Sequence, residues 1–297
     1  MIIGNHEQLT QAVLEVMART EDPRLREIMT ALVRHLHEFV REVRLTEDEF
    51  RAATALIARL GHLTTDTHNE VVLMAGSLGV SALVCLLNNG NNGETETAQN
   101  LLGPFWRLGS PPTGNGGSIV RSSTPGPALF MTARVVDPAG APVVGAEVDI
   151  WQSSPRGFYE NQDSDQADMN LRGKFTTDGE GRFWFQSVKP AGYPIPTDGV
   201  VGDLLKAQRR HPYRPAHVHA LIYKPGFKTL ISQVYADDDP NLESDAQFGV
   251  TRALIGHLER HDEPHRDAPN AGVPWYSLDY TYVMEPGEAK LPRPPIK

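Results

Sequence analysis

Two hydrophobic rhythms divide this chain. Leu25, Ile28, Met29, Leu32, Leu36 and Val40 fall at the three-and-four spacing of a helix face. Asp22-Pro23 ahead of them supplies an N-cap and a first-turn proline. Thr46-Glu-Asp-Glu49 is a capping box that opens a second helix with Phe50, Ala53, Ile57 and Leu60 on one face. A third helix is expected over about residues 69–87. Apolar stripes this wide need cover, from the following domain or from a second subunit. Residues 107–126, rich in Gly, Pro and Ser, break the pattern. Beyond them the rhythm becomes period two, and residues 129–136, 146–151, 182–186, 216–223, 229–235 and 277–284 read as strands. Residues 252–260 read as a lone late helix. The pattern predicts a mainly β protein with α: a helical region, 1–106, then an antiparallel β-sandwich, 107–297.

Composition narrows the function. A chain of 297 residues, 40% hydrophobic and 22% charged, has ample core for one large domain or two modest ones. Its net charge of −9 leaves no basic stripe for nucleic-acid phosphates. A single cysteine, Cys85, in an apolar helical run rules out a disulfide framework and suits a reducing cytoplasm. Met-Ile-Ile-Gly-Asn-His-Glu at the start does not read as a signal peptide. Residues 71–87 carry no charge over nearly a membrane-spanning length. With Gly76, Ser77, Gly79 and Ser81 inside and no flanking Lys or Arg, they read as a helix buried in the protein or at a subunit interface.

The chemistry concentrates in four residues. His217 and His219, one residue apart on an expected strand, project from the same side. Tyr159 and Tyr193 precede them in Gly-Phe-Tyr and Ala-Gly-Tyr-Pro turns. Any one of these is ordinarily a packed, hydrogen-bonded side chain. Together they make an unusual donor set. Imidazole suits several first-row metals, whereas a phenol with an ordinary pKa near ~10 ionises at neutral pH only beside a strong Lewis acid. Ferric iron is such an acid, and two tyrosinates favour it over ferrous. His257, His261 and His265 recur every four residues, but Pro264 interrupts the helix and acidic residues crowd the segment. That stretch reads as a solvated polar face.

Pro190-Ala-Gly-Tyr193-Pro-Ile-Pro-Thr-Asp-Gly, Leu204-Leu205 and His211-Pro-Tyr-Arg214-Pro-Ala-His217-Val-His219 closely resemble the intradiol ring-cleaving dioxygenases. Tyr159 lies 34 residues before Tyr193 and His217 lies 24 after it, as in that family, and the likeness runs from about Glu70 to Met284. The resemblance implies one Fe(III) per subunit on Tyr159, Tyr193, His217 and His219, a catechol-type diol and O2 as substrates, and a muconate product. It implies that Tyr193 takes a substrate proton, that Arg214 stabilises the anionic ring and that Gln233 lies near an iron-bound hydroxide. It also implies a pocket of Leu73, Gly76, Gly103, Pro104, Phe105, Ile195, Pro196 and Gln247, and a homodimer through the N-terminal helices with an apolar tunnel able to hold lipid. Tyr193-Pro-Ile-Pro-Thr-Asp-Gly looks most like hydroxyquinol and chlorocatechol enzymes. Two positions depart from the hydroxyquinol pattern: Gly76, commonly acidic there, and Gln247, commonly apolar. A cupin-like barrel also uses His-x-His, but no Glu lies within ten residues after His219. A non-enzymatic binding sandwich is the other reading. The visible colour of the purified protein separates all three.

Overall fold

The computed structural model describes residues 2–65, 68–88, 97, 99–268 and 271–295. The chain forms two compact units, Met1–Arg59 and Leu60–Lys297. The first holds helices α1 (His6–Met17) and α2 (Pro23–Val43) and most of α3 (Glu47–Leu63). The Asp22 side chain accepts from Leu25 N at 2.8 Å, so the Asp-Pro start of α2 forms as its residues require. At the start of α3, Glu49 N bonds Thr46 Oγ1 and Thr46 N bonds Glu49 Oε2, a reciprocal box. Helices α1 and α2 meet through Thr10, whose hydroxyl bonds His37 Nδ1 and Arg41 Nη1. No residue of α2 is buried, and Leu25, Ile28, Leu32, Leu36, Phe39, Val40 and Val43 all stay about half exposed.

The expected third helix is two helices, α4 (Glu70–Ser77) and α5 (Val80–Asn88), bent by 77°. Gly79, at φ +73°, turns the chain between them, a left-handed conformation that glycine adopts without cost. Their uncharged residues do not bury on all sides. Leu73 and Met74 pack inward, whereas Val71, Val72, Val80, Leu83, Val84 and Leu87 are exposed. No single described helix is long and apolar enough to cross a membrane.

The remaining elements are β1 (Ala128–Val136), β2 (Glu147–Gln152), β3 (Arg172–Thr176), β4 (Arg182–Val188), β5 (Tyr193–Pro194), α6 (Val200–Ala207), β6 (Tyr213–Arg214), β7 (His217–Tyr223), β8 (Leu230–Ala236), β9 (Ile255–Gly256), β10 (Leu258–His261) and β11 (Trp275–Val283). They build a four-stranded sheet, β10-β11-β1-β4, a five-stranded sheet, β3-β2-β7-β8-β9, and a β5-β6 ladder. Most pairings are antiparallel; β1–β11 and β8–β9 are parallel, joined by long connections that no hairpin constrains. The two sheets share one apolar core. Leu129, Met131, Ala133 and Val135 of β1 meet Val148 and Ile150 of β2 and Val218, Ala220 and Ile222 of β7. Alternation then sends the other residues of the five-stranded sheet outward: Arg172, Asp149, Trp151, His217, His219, Gln233 and Tyr235.

The late helix expected over 252–260 is instead a 3-10 turn, Arg252–Leu254, followed by β9 and β10. Burial alternates, with Leu254, Gly256 and Leu258 inward, and a Cβ on Gly256 would lie 2.5 Å from Val234 Cγ1. Packing at the sheet edge selects the strand over a helix. The histidines of this segment are correspondingly not one polar helix face. His261 stacks on Trp275 at 3.8 Å and His265 on Phe130 at 4.0 Å, while exposed His257 bonds Asp237.

Candidate active site

The outer face of the five-stranded sheet supplies the base of the site. Opposed residues on successive strands form one row, Arg172, Trp151, His219 and Gln233, with His217 opposite Tyr235 in the next. The His219 imidazole lies flat on the Trp151 indole, 4.5 Å between centroids and 8° between planes, which fixes its tilt. His217 Nδ1 donates to Pro215 O at 2.7 Å, so its Nε2 carries the lone pair. The two Nε2 atoms face each other at 3.2 Å, and both imidazoles are 1% exposed.

The tyrosines arrive on loops. Tyr159 leads a short 3-10 turn, Glu160–Gln162, and its backbone N–H bonds the Gln162 side chain. Tyr193 begins β5, clamped by β6 through its pairing with Arg214. The two rings stand edge to face at 5.5 Å, and Tyr193 lies 5.6 Å from His217. Phe105 stacks on Tyr159 at 4.3 Å. Gly103, at φ +73°, brings backbone against His219; a Cβ there would lie 3.4 Å from its Cε1. Beside Tyr159, Glu160 accepts from Arg172 Nε at 2.7 Å and Arg107 Nη1 at 2.9 Å.

Electrostatics favour neutral imidazoles. Burial, then the Arg214 charge, pushes His217 down to about 3. Burial, then His217, pushes His219 well below its usual value. Burial, then the Tyr193 phenol, raises Tyr159 well above 10. A phenol in this environment ionises only with a cation at its oxygen. The donor set meets that need: Tyr159 Oη is buried with no hydrogen-bond partner, and the Nε2 atoms of His217 and His219 converge in the same buried cluster. Tyr159, Tyr193, His217 and His219 therefore fit a hard trivalent metal such as Fe(III).

Arg214 lies beside this group, 3% exposed, gripped by Asp245 through Nε at 3.1 Å and Nη2 at 3.2 Å. Its Nη2 also reaches Gln233 Oε1 at 3.0 Å and Tyr235 Oη at 2.6 Å. Burial opposes its charge, but Asp245 together with the Tyr235 and Tyr193 phenols outweighs burial and holds Arg214 well above its ordinary value. Gln233 Nε2 donates to Leu101 O at 2.6 Å. Leu73 packs in a separate apolar cluster with Ile195, Val201, Leu205 and Ala246. Gln247 Nε2 donates to Ser77 Oγ at 2.7 Å, and Gln247 Oε1 fills the space where a Cβ on Gly76 would stand, 1.8 Å away. Pro104 and Pro196, both expected in the pocket, are exposed. Nothing local in the sequence singles out Trp151, Arg172, Tyr235 or Asp245. Period two could have put Tyr235 on the face of Gln233, but nothing local pairs Asp245 with Arg214.

A fold of this kind with this donor set belongs to a known class. Residues 104–284 match the model of a dioxygenase family, and residues 22–96 match the catechol dioxygenase N terminus. The chain belongs to the intradiol ring-cleaving dioxygenase family. It is 39% identical to hydroxyquinol 1,2-dioxygenase of a Rhizobium species, over 94% of this chain and 95% of that one. It is 37% identical to catechol 1,2-dioxygenase of Candida albicans, over 91% and 89%. The crystal structure of hydroxyquinol 1,2-dioxygenase from Pseudomonas putida DLL-E4 superposes with a TM-score of 0.86 at 38% identity, covering 95% of this chain and 99% of that one.

Proposed function

We propose that this enzyme opens benzene-1,2,4-triol between its two adjacent hydroxylated carbons with O2, giving 3-hydroxy-cis,cis-muconate, which tautomerises to maleylacetate. The observation that carries the chemistry is the buried convergence of two imidazole Nε2 atoms, 3.2 Å apart, beside the unpartnered Tyr159 hydroxyl. Tyr159, Tyr193, His217 and His219 would hold one Fe(III) per subunit. Bound ferric iron supplies electron withdrawal from a catecholate, which opens a ring carbon to O2.

The chain's own residues do the rest. Tyr193 would take up a substrate proton at its Oη, a phenolate oxygen not bound to a cation being strongly basic. Arg214 holds its charge against the anionic ring; its Nη1 donates to no other described residue, while Nε and Nη2 are fixed by partners. Gln233 is held by Leu101, Arg214 and Tyr235, which orients its remaining amide proton. Phe105, Gly103, Ile195 and Leu73 close an apolar wall against water, with Pro104 and Pro196 at the rim. Gln247 offers Oε1 to the third ring hydroxyl, its Nε2 being taken by Ser77. Similarity to hydroxyquinol enzymes at 39% and 38% identity supports the triol.

Residues 1–106 form the assembly region in this reading, and the sandwich from 107 on carries the chemistry. The half-exposed apolar stripe of α2 supports a homodimer through the N-terminal helices, with room for a lipid between them.

Steady-state turnover of the triol, catechol, and methyl- and chlorocatechols tests the substrate. A site that bonds a substrate hydroxyl rejects the analogue lacking it by up to roughly four orders of magnitude. The triol is expected to win clearly in kcat/KM. Preference for plain or alkylated catechols would move the enzyme to the catechol branch.

A further inference from the structure

We infer that Tyr235 is a positioning residue that fixes both Arg214 and Gln233, an assignment that rests on the function proposed above. Tyr235 is fully buried on the outer face of β8, opposite His217, with its ring 5.3 Å from that imidazole. It belongs to neither the proposed metal set nor the pocket wall. Its hydroxyl donates to Gln233 Oε1 at 2.6 Å and accepts from Arg214 Nη2 at 2.6 Å and Asn100 Nδ2 at 3.3 Å. One proton and two lone pairs are thereby all used, so the oxygen has a single orientation.

The consequence falls on two side chains with work to do. Arg214 is a planar fork, and Asp245 holds its Nε and Nη2. A second anchor on Nη2 stops the plane from tilting about the Asp245 contact and leaves Nη1 in one direction. Gln233 Oε1 accepts from both Tyr235 and Arg214 while Nε2 donates to Leu101 O, which also settles which way its amide faces. The anchor is itself braced. Asn100 Nδ2 donates to Gly249 O at 2.7 Å, and a Cβ on Gly249 would lie 2.6 Å from Tyr235 Oη and 2.8 Å from Arg214 Nη2. The absence of a side chain at 249 is what lets the hydroxyl reach the guanidinium.

Tyr235→Phe tests this with the ring, and so the packing, retained. A hydrogen bond to a charged group is worth a factor of ten or more, and small misplacements of catalytic groups cost rate steeply. The expected result is a fall of roughly tenfold in kcat/KM per bound iron, with iron content and the visible band unchanged. In an Arg214→Lys background, where the fork is already lost, the same change should cost clearly less, leaving only the share carried through Gln233. Gly249→Ala, which displaces the hydroxyl from the opposite side, should reproduce the kinetic signature. Undiminished kcat/KM per iron in Tyr235→Phe, with only a lower Tm, would reduce the hydroxyl to a structural role and overturn the inference. A tenfold loss of equal size in the wild-type and Arg214→Lys backgrounds would also overturn it. Wild-type protein that cleaves no diol sinks the proposed function itself, an outcome read before any variant is made.

Discussion

Gly76→Ala should destabilise the protein even though alanine is the better helix former. Gly76 lies in the last turn of α4, where an added Cβ would stand 1.8 Å from Gln247 Oε1 and 2.8 Å from its Cδ. Neither distance is tolerable, so the Gln247 side chain must leave. It is 5% exposed, and leaving breaks its bond to Ser77 Oγ, itself 1% exposed. Stranding buried polar groups costs about 1–3 kcal/mol, and the remaining overpacking adds about 1 kcal/mol. Replacing glycine within a helix returns about 1 kcal/mol. The net loss is about 1–3 kcal/mol, a fall in Tm of roughly 2–12 °C for a domain of this size. Gln247→Ala removes the obstacle, so in that background Gly76→Ala should be neutral or mildly stabilising. Thermal and denaturant unfolding of wild type, both single variants and the double variant measure the coupling, expected at about 2–3 kcal/mol. An equal cost of Gly76→Ala in both backgrounds, or a raised Tm with Gln247 present, would refute the clash.

Three further outcomes follow from the site and the helices. Tyr159→Phe should bleach or shift the visible band and empty much of the iron, measured by absorbance and metal analysis; an unchanged spectrum at full iron content would exclude Tyr159 as a ligand. In metal-free protein, His217 stays neutral in the fold down to about 3 but protonates near 6.5 in the unfolded chain. The unfolded state then binds more protons through this window, so stability falls as pH drops below about 6.5, by roughly 2 kcal/mol per such histidine at pH 5. Chemical denaturation at pH 7 and 5 checks this, and a flat profile would contradict it. Leu32→Glu with Leu36→Glu on the exposed stripe of α2 should yield monomer by sedimentation velocity, and a persisting dimer would place the interface elsewhere.

Much of this molecule is local information. The Asp22-Pro23 start of α2 and the Thr46–Glu49 box hold because capping is settled within four residues of chain. The six expected strands stand because period-two burial follows from the pleat, and the same rule sets His217 and His219 on one face. Tyr159, Tyr193, His217 and His219 could be read as one candidate set because their chemistry is carried by residue type, and the fold does bring them together. Tertiary packing decided the rest. No local signal sets Trp151 under His219, because cross-strand register depends on how two distant segments share a core. The residues at 252–260 carried a helical pattern, yet the edges of the two sheets drew Gly256 and Leu258 inward as strand, with Leu254 inward from the 3-10 turn before them. Gly76 and Gln247, two separate oddities along the chain, are one feature in space: the side chain of one occupies the room that the other leaves. Arg214 was readable as a cation, but its partners Asp245, Gln233 and Tyr235 come from other segments. Their meeting is a product of the fold, because hydrogen-bond partners across 19 to 31 residues leave no periodic trace in sequence.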